Sequence, residues 1–126
     1  MQERAQRICP LPIDMINIDF SYNKECGKLK LTVSGHAGAA PLGQDIVCAA
    51  VSILVQTLAQ HIKNIYVRGD LQKEPVIILE HGQANICCVP KKTAKTKLRH
   101  CFETVYTGFW LLAQTYPEYI LLNIGL

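Results

Sequence analysis

The sequence predicts an α+β domain in which two long helices pack on a mainly antiparallel or mixed sheet, in the order β-β-α-β-β-α-β. The prediction rests on two pairs of short alternating apolar segments, each joined by a turn, and on two longer segments with helical apolar spacing. Composition agrees, because a chain of 126 residues with 49% hydrophobic and 18% charged residues can bury one core.

The first two strands form a predicted β-hairpin. Ile16, Ile18 and Phe20 alternate with polar residues, and the same alternation returns over 29–33. Residues 24–27 between them are charged or small and end in glycine, which is typical of a turn. One face of the hairpin is therefore expected to enter the core.

A central helix is predicted from Asp45 to about Lys63. Asp45 is a good N-cap residue, because its carboxylate can accept a hydrogen bond from a backbone N–H two or three residues later. The apolar run 46–55 follows, and apolar side chains cover most sides of the helix. This helix is expected to be deeply buried.

The second half of the chain repeats the hairpin and the helix. Residues 76–80 and 85–89 flank the segment 81–84, which predicts two strands joined by a four-residue turn. Pro90 and a basic segment open a second helix, and residues 119–124 predict a last strand. The core-facing side of the second helix comprises Leu98, Cys101, Phe102, Val105, Phe109 and Leu112, with Cys101 as an ordinary member. The sequence leaves the strand order open.

The residues that carry candidate chemistry are His36 and Cys48, twelve positions apart and joined by a glycine-rich loop that leads into the central helix. Cys48 is expected in the first helical turn, where unpaired N–H groups and the helix dipole stabilise a thiolate. The pattern favours nucleophilic acyl transfer, in which Cys48 attacks a carbonyl carbon and His36 carries the proton to the leaving group. Backbone N–H groups at the helix start, including that of Cys48, are expected to bind the oxyanion.

A Cys and His pair is more often structural than catalytic, and three supporting features favour catalysis here. Asp45 either orients His36 or caps the helix, and capping is favoured because a capping carboxylate is already engaged. Ser52, one turn after Cys48, can hydrogen-bond the local backbone or support Cys48 from behind. The glycines that give the loop its freedom are Gly35, Gly38 and Gly43.

Composition excludes several classes of protein. No apolar run reaches membrane-spanning length without interruption, and the N-terminal segment lacks the apolar centre of a secretory signal, so no membrane partner is expected. We expect a cytoplasmic protein whose six cysteines stay reduced. The sequence has no Cys-x-x-Cys pair and no helical His-x-x-x-His pair, so neither a metal nor another cofactor is expected.

A cluster of cations opens the second predicted helix, at Lys91, Lys92, Lys95, Lys97 and Arg99. It is either an ordinary solvated face or a source of electrostatic guidance toward RNA or a ribosomal partner. No interleaved aromatic residues and no nucleic-acid motif accompany it, so no specific nucleic-acid partner is inferred.

The stretches 35–38 (Gly-His-Ala-Gly) and 43–52 (Gly-Gln-Asp-Ile-Val-Cys-Ala-Ala-Val-Ser) resemble the signature of the Prp-like ribosomal-processing cysteine protease family of Firmicutes. Residues 15–18 and 116–120 resemble the beginning and the closing segment of that family, so the resemblance covers roughly 15–124. It implies an endopeptidase that removes an N-terminal extension from large-subunit ribosomal protein twenty-seven during ribosome maturation. It also implies a catalytic dyad of the matching histidine and cysteine, and a homodimer.

The resemblance further implies a mobile flap over the active site, at 35–44 with its glycines as hinges. Ala39, Pro41 and Leu42 stand where many relatives have an aromatic and more polar residues. This departure leaves the peptide preference open and keeps the dyad intact.

Met15 matches the place where the resembled family begins, and it is a candidate for the true start. Residues 1–14 are then an N-terminal extension, and residues 15–126 are a single cysteine protease domain. Two other functions stay open: a non-catalytic ribosome-associated binding protein in which Cys48 is only a helix residue, and a thiol hydrolase of small thioesters or amides.

Overall fold

The computed structural model describes residues 15–35 and 42–125, with side chains from Ile46 onward in the second part. The element order β-β-α-β-β-α-β is confirmed, and a short 3-10 turn at Lys92–Ala94 precedes the second helix. In chain order the elements are β1 (Ile16–Tyr22), β2 (Leu29–Ser34), α1 (Leu42–Val67), β3 (Val76–Glu80), β4 (Gln83–Cys88), α2 (Lys95–Thr115) and β5 (Ile120–Gly125).

The five strands form one mixed sheet in the order β3-β4-β2-β1-β5. β1 and β5 are parallel, and the other neighbouring pairs are antiparallel. The pairing of Ser34 with Gln83 brings the end of β2 beside the start of β4. The β3–β4 turn therefore lies at the same edge of the sheet as the segment that follows β2.

Both helices pack on one face of the sheet. Ile16, Ile18 and Phe20 are buried on that face, as the alternation of β1 predicts. Phe20 makes edge-on ring contacts with three aromatic side chains of α2, at centroid distances of 5.5 to 6.4 Å: Phe102, Tyr106 and Phe109. These rings hold α2 against β1, which is next to the edge strand β5.

The first helix begins earlier than predicted. α1 starts at Leu42, so Asp45 lies inside its first turn and is not the N-cap residue. Pro41 stands directly before Leu42 in the sequence. Proline is common at helix starts, because it lacks an N–H and its fixed φ suits a helix, and the prediction gave this signal too little weight. Gly43, predicted as a loop hinge, is likewise helical, and the part of the predicted flap at 42–44 belongs to α1.

The same helix also ends later than predicted, at Val67 instead of about Lys63. Ile62 and Ile65 are buried and continue its apolar side. Gly69, two residues after this end, prevents the helix from continuing: its φ is +89°, and its N–H donates to the Tyr66 carbonyl at 3.0 Å. A left-handed glycine of this kind is a common helix terminator, so the signal was present in the sequence.

Two details of the second half also differ from the prediction. The β3–β4 turn contains only His81 and Gly82, because β4 begins at Gln83 and ends at Cys88. Two-residue turns match the twist of paired strands better than longer ones. Cys101 is half-buried instead of entering the core, and its Sγ lies 3.2 Å from His61 Nε2 of α1.

Residues 46–67 of α1 are long and apolar enough to cross a membrane, judged by length and composition alone. Side chains that pack into the core account for much of this apolar character, namely Val47, Val51, Val55, Leu58, Ala59, Ile62 and Ile65. Gln56, Gln60 and Asn64 are exposed on another side of the helix. This two-sided arrangement is typical of a helix that packs on a sheet.

Candidate active site

A cleft of about 760 Å³ lies between α1 and the sheet edge that carries the β3–β4 turn. Cys48, Ser52 and Gln56 line one side of it at steps of four residues, so they share one face of α1. Ile16, Val33 and Ala84 contribute apolar surface, and His81 and Gln83 line the opposite side. The cleft combines an apolar floor with polar side chains, as many ligand sites do.

Cys48 is half-buried and lines this cleft, and its thiol is free. It lies in the second turn of α1 and not in the first, because the helix begins at Leu42. The helix dipole acts mainly on the first turn. The position therefore gives less electrostatic help to a thiolate than the sequence predicts.

Burial makes two other cysteines poor nucleophiles at neutral pH. Burial, together with the neighbouring Cys87 and Cys101 thiols, raises the pKa of the Cys88 thiol to about 12. Burial also raises the pKa of Cys101, and Lys97 acts in the opposite direction. Among the cysteines of the described segments, Cys48 is the one that lines the cleft.

Gly35 fixes the point from which the chain continues toward His36. Its φ is +97°, and a Cβ atom there would clash with the Met15 carbonyl oxygen. Its N–H donates to the Gly82 carbonyl at 3.0 Å. The backbone immediately before His36 is therefore held against the start of β1 and the β3–β4 turn, at the edge of the cleft.

Several predicted site features lie outside the described residues. These are His36 and Gly38, together with the side chain of Asp45. The pairing of His36 with Cys48 and the orientation of His36 by Asp45 stay predictions, whereas the capping role of Asp45 does not fit a helix that begins at Leu42. The predicted flap is described only at its two ends, at Gly35 and in the first turn of α1.

Ser52 faces the cleft one turn beyond Cys48. Its Oγ accepts a hydrogen bond from Gln56 Nε2 at 2.7 Å, which leaves the Ser52 O–H able to donate. Gln56 was not predicted as a site residue, although its spacing of four from Ser52 places it on the same face. His81 and Gln83 were also missed, because only the strand register brings them to the cleft.

The N–H of Cys48 is not available as an oxyanion donor. In an α-helix that starts at Leu42, this N–H bonds the carbonyl four residues earlier. The unpaired N–H groups belong to the first four helical residues. Within residues 15–35 and 46–125, no three His, Cys, Asp or Glu side chains are arranged to hold a metal ion.

The sequence of residues 15–121 matches the family of cysteine protease Prp. The chain belongs to this family. It is therefore a cysteine-type endopeptidase, and the position of Cys48 in the cleft agrees with that activity. No curated protein sequence matches the chain.

Solved structures of Prp proteins share the fold. An essential ribosomal processing protease Prp from S. aureus in complex with a substrate peptide is 23% identical, with a TM-score of 0.65 over 87% of this chain and 99% of that chain. The same protease with a covalently linked product peptide is 25% identical, with a TM-score of 0.62 and the same coverage. SMU.848 from Streptococcus mutans is 30% identical, with a TM-score of 0.62 over 88% of this chain and 94% of that chain.

Proposed function

We propose that this Prp-family protease removes an N-terminal extension from large-subunit ribosomal protein twenty-seven, with Cys48 as nucleophile and His36 as general base. The observation that carries the proposal is the free Cys48 thiol in a cleft whose edge is formed by the backbone that leads to His36. The S. aureus relatives are ribosomal processing proteases with bound peptides, which supports a peptide substrate of this kind.

The reaction proceeds in two steps. His36 takes the Cys48 proton, the sulfur attacks the scissile carbonyl carbon, and His36 returns the proton to the departing amine. This leaves the acyl part of the substrate on Cys48 as a thioester. Water, deprotonated by His36, then attacks the thioester and releases the acid product and the thiol.

Stabilisation of the oxyanion falls to groups other than the Cys48 N–H. Ser52 lines the cleft one helical turn away, and its Oγ is oriented by Gln56. Cβ atoms four residues apart on a helix are about 5–6 Å apart, which is within reach of a bound carbonyl group. Ser52 therefore acts as a hydroxyl donor to the tetrahedral intermediate.

The test is cleavage of a peptide that spans the junction of the extension in the ribosomal protein of the same organism. Cys48→Ala and His36→Ala are expected to abolish cleavage, and Cys87→Ala, which changes a half-buried cysteine outside the cleft, is expected to keep it. Circular dichroism verifies that each variant folds. Cleavage by folded Cys48→Ala would refute the dyad, and cleavage of small thioesters but not of the peptide would favour the small-molecule hydrolase.

The family resemblance also supports a cytoplasmic homodimer. Ile53 and Leu111 are 61% and 56% exposed. Ile53 is next to Leu54 of α1, and Leu111 follows Gly108 of α2 by about one helical turn. Leu54 packs against Gly108, so both exposed side chains lie near the contact between the two helices. Light scattering after size exclusion is expected to give the mass of two chains, and the mass of one chain would refute the dimer.

A further inference from the structure

The positive charge of the chain is concentrated at the end of the domain opposite the cleft. The chain has 13 Lys and Arg residues, and apart from Arg4 and Arg7 all of them lie in the segments 24–30, 63–73 and 91–99. We call these three segments the basic end. None of the described residues that line the cleft is a Lys or an Arg.

Contacts join the three segments into one surface. The side chain of Lys95 lies over Gly27, where a Cβ atom would be 3.0 Å from its Cε. Arg99 stacks its guanidinium on the Tyr22 ring at 4.5 Å from the centroid, beside the β1–β2 turn. On the other side, the Lys91 N–H bonds the Asp70 carbonyl at 2.8 Å, which ties segment 91–99 to segment 63–73.

Few acidic groups neutralise this surface. Glu25 and Asp70 are the acidic residues within the basic end, and Glu74 directly follows segment 63–73. Asp70 pairs with Lys97 at 2.8 Å, and Arg99 lies 3.9 Å from Glu103 of α2, which is just beyond the basic end. An open depression of about 520 Å³ beside Tyr22 collects three further lysines at 24, 28 and 30. The surface therefore suits a ligand with several negative charges.

Two of the three segments of the basic end lack the exposed apolar surface that a membrane or a protein partner needs. Of the exposed large hydrophobic residues in the described chain, Tyr66 and Val67 lie in segment 63–73, at the end of α1, and none lies in 24–30 or 91–99. Protein interfaces have an apolar centre, and membrane-bound surfaces insert apolar side chains. A phosphate backbone needs only cations and polar groups, which is what segments 24–30 and 91–99 offer.

We propose that the basic end binds the phosphate backbone of structured RNA. The choice of RNA over other polyanions rests on the proposed function, because a protease of ribosomal proteins works beside ribosomal RNA. β2 separates Lys28 from Gly35 at the cleft, and its six residues span about 20 Å. The basic end can therefore hold RNA while the cleft stays open to a peptide.

The test measures fluorescence anisotropy of an RNA duplex of about 20 base pairs, between about 50 and 200 mM salt. The protein is the full chain with Cys48→Ala, so that binding is measured without any proteolysis. Lys28→Gln with Lys92→Gln removes two exposed cations from different segments. We expect the affinity for the duplex to fall about tenfold near 100 mM salt. The slope of log affinity against log salt concentration is expected to become shallower by about two, because two phosphate contacts are lost.

The matched control has the same net charge and an intact basic end. Thr107→Glu with Gln114→Glu lowers the charge by two at exposed positions of α2 that lie beyond the basic end. This control is expected to keep at least about half of the affinity, because the screening length near 100 mM salt is only about 10 Å. Equal losses in both double variants would overturn the proposal.

Two further outcomes separate this proposal from its alternatives. Binding to anionic phospholipid vesicles without binding to the RNA duplex would refute RNA as the ligand and indicate a membrane surface. Peptide cleavage is measured separately in a Lys28→Gln with Lys92→Gln protein that retains Cys48. The cleavage rate is expected to be unchanged. Loss of RNA binding with intact cleavage supports the RNA surface and leaves the proposed protease function standing. RNA binding that is unchanged in this double variant would overturn the RNA surface, whatever its cleavage activity.

Discussion

Gly35→Ala tests the link between the fold and the site, because Gly35 holds the backbone that leads to His36. Two costs arise in this variant. A non-glycine residue at a φ of +97° costs about 1–2 kcal/mol. The new Cβ also clashes with the Met15 carbonyl oxygen, and a backbone atom cannot move aside as a flexible side chain can. Together we expect a loss of about 2–4 kcal/mol in the free energy of unfolding.

The control for Gly35→Ala is Gly69→Ala, which separates the two costs. Gly69 has a similar φ of +89°, but the nearest atom to an added Cβ is Lys91 Nζ at 4.0 Å. Only the backbone cost of about 1–2 kcal/mol is expected there. The assay is urea unfolding followed by circular dichroism, with thermal unfolding as a second measurement. If the free energy of unfolding of the Gly35→Ala protein equals or exceeds that of the Gly69→Ala protein, the close approach of Gly35 to Met15 is refuted.

Activity provides a second readout for Gly35→Ala. Displacement of Gly35 shifts the chain before His36, and a shift of about 1 Å in a catalytic group can lower the rate about a hundredfold. Peptide cleavage is measured well below the unfolding temperature of both variants. We expect Gly35→Ala to lose far more kcat/KM than Gly69→Ala, and equal values would show that Gly35 has no role in positioning the base.

Three other predictions follow from the structure. Gly43→Ala is expected to raise the free energy of unfolding by about 0.5–1 kcal/mol, because Gly43 is helical, and a loss of cleavage without this gain would instead favour a hinge. Because folding raises the Cys88 pKa from 9.0 to about 12, the folded state keeps a proton that the unfolded state loses, so stability is present below pH 9 and falls as pH rises. We expect a loss of about 1.4 kcal/mol between pH 8 and 10 that is absent in Cys88→Ala, and identical pH slopes for the two proteins would contradict it. Ser52→Ala is expected to lower kcat about 10²–10³-fold with little change in KM, and Ser52→Thr is expected to restore part of the rate, whereas a kcat within about threefold of the original would exclude Ser52 as an oxyanion donor.

The strands and helices could be predicted because their signals are local. Alternation in 16–20 and 29–33 identified both strands of the first hairpin, and the buried faces agree with it. Helix boundaries were harder, since Asp45 offers an N-cap signal inside a segment where Pro41 already marks the start. The pairing of β1 with β5 could not be predicted, because it joins residues about a hundred positions apart and depends on how α2 crosses the sheet.

The same distinction between local signals and pairings of distant residues holds for the candidate site. The spacing of Cys48 and Ser52 is a property of one helix, so their shared face could be predicted from the sequence and is confirmed. The opposite wall of the cleft is built by the β3–β4 turn, which reaches the site only through the pairing of Ser34 with Gln83. His81 gave no local signal of this role, because nothing in its neighbouring residues reports the register of a distant strand.

The position of Cys48 in α1 determines which groups must activate it. The first-turn position predicted from the sequence would let the helix start supply both thiolate stabilisation and an oxyanion donor. In the second turn, the N–H of Cys48 is used within the helix and the dipole effect is weaker. In the mechanism we propose, His36 then supplies the activation, and the oxyanion is held by a cleft side chain such as Ser52 or by N–H groups of the first turn.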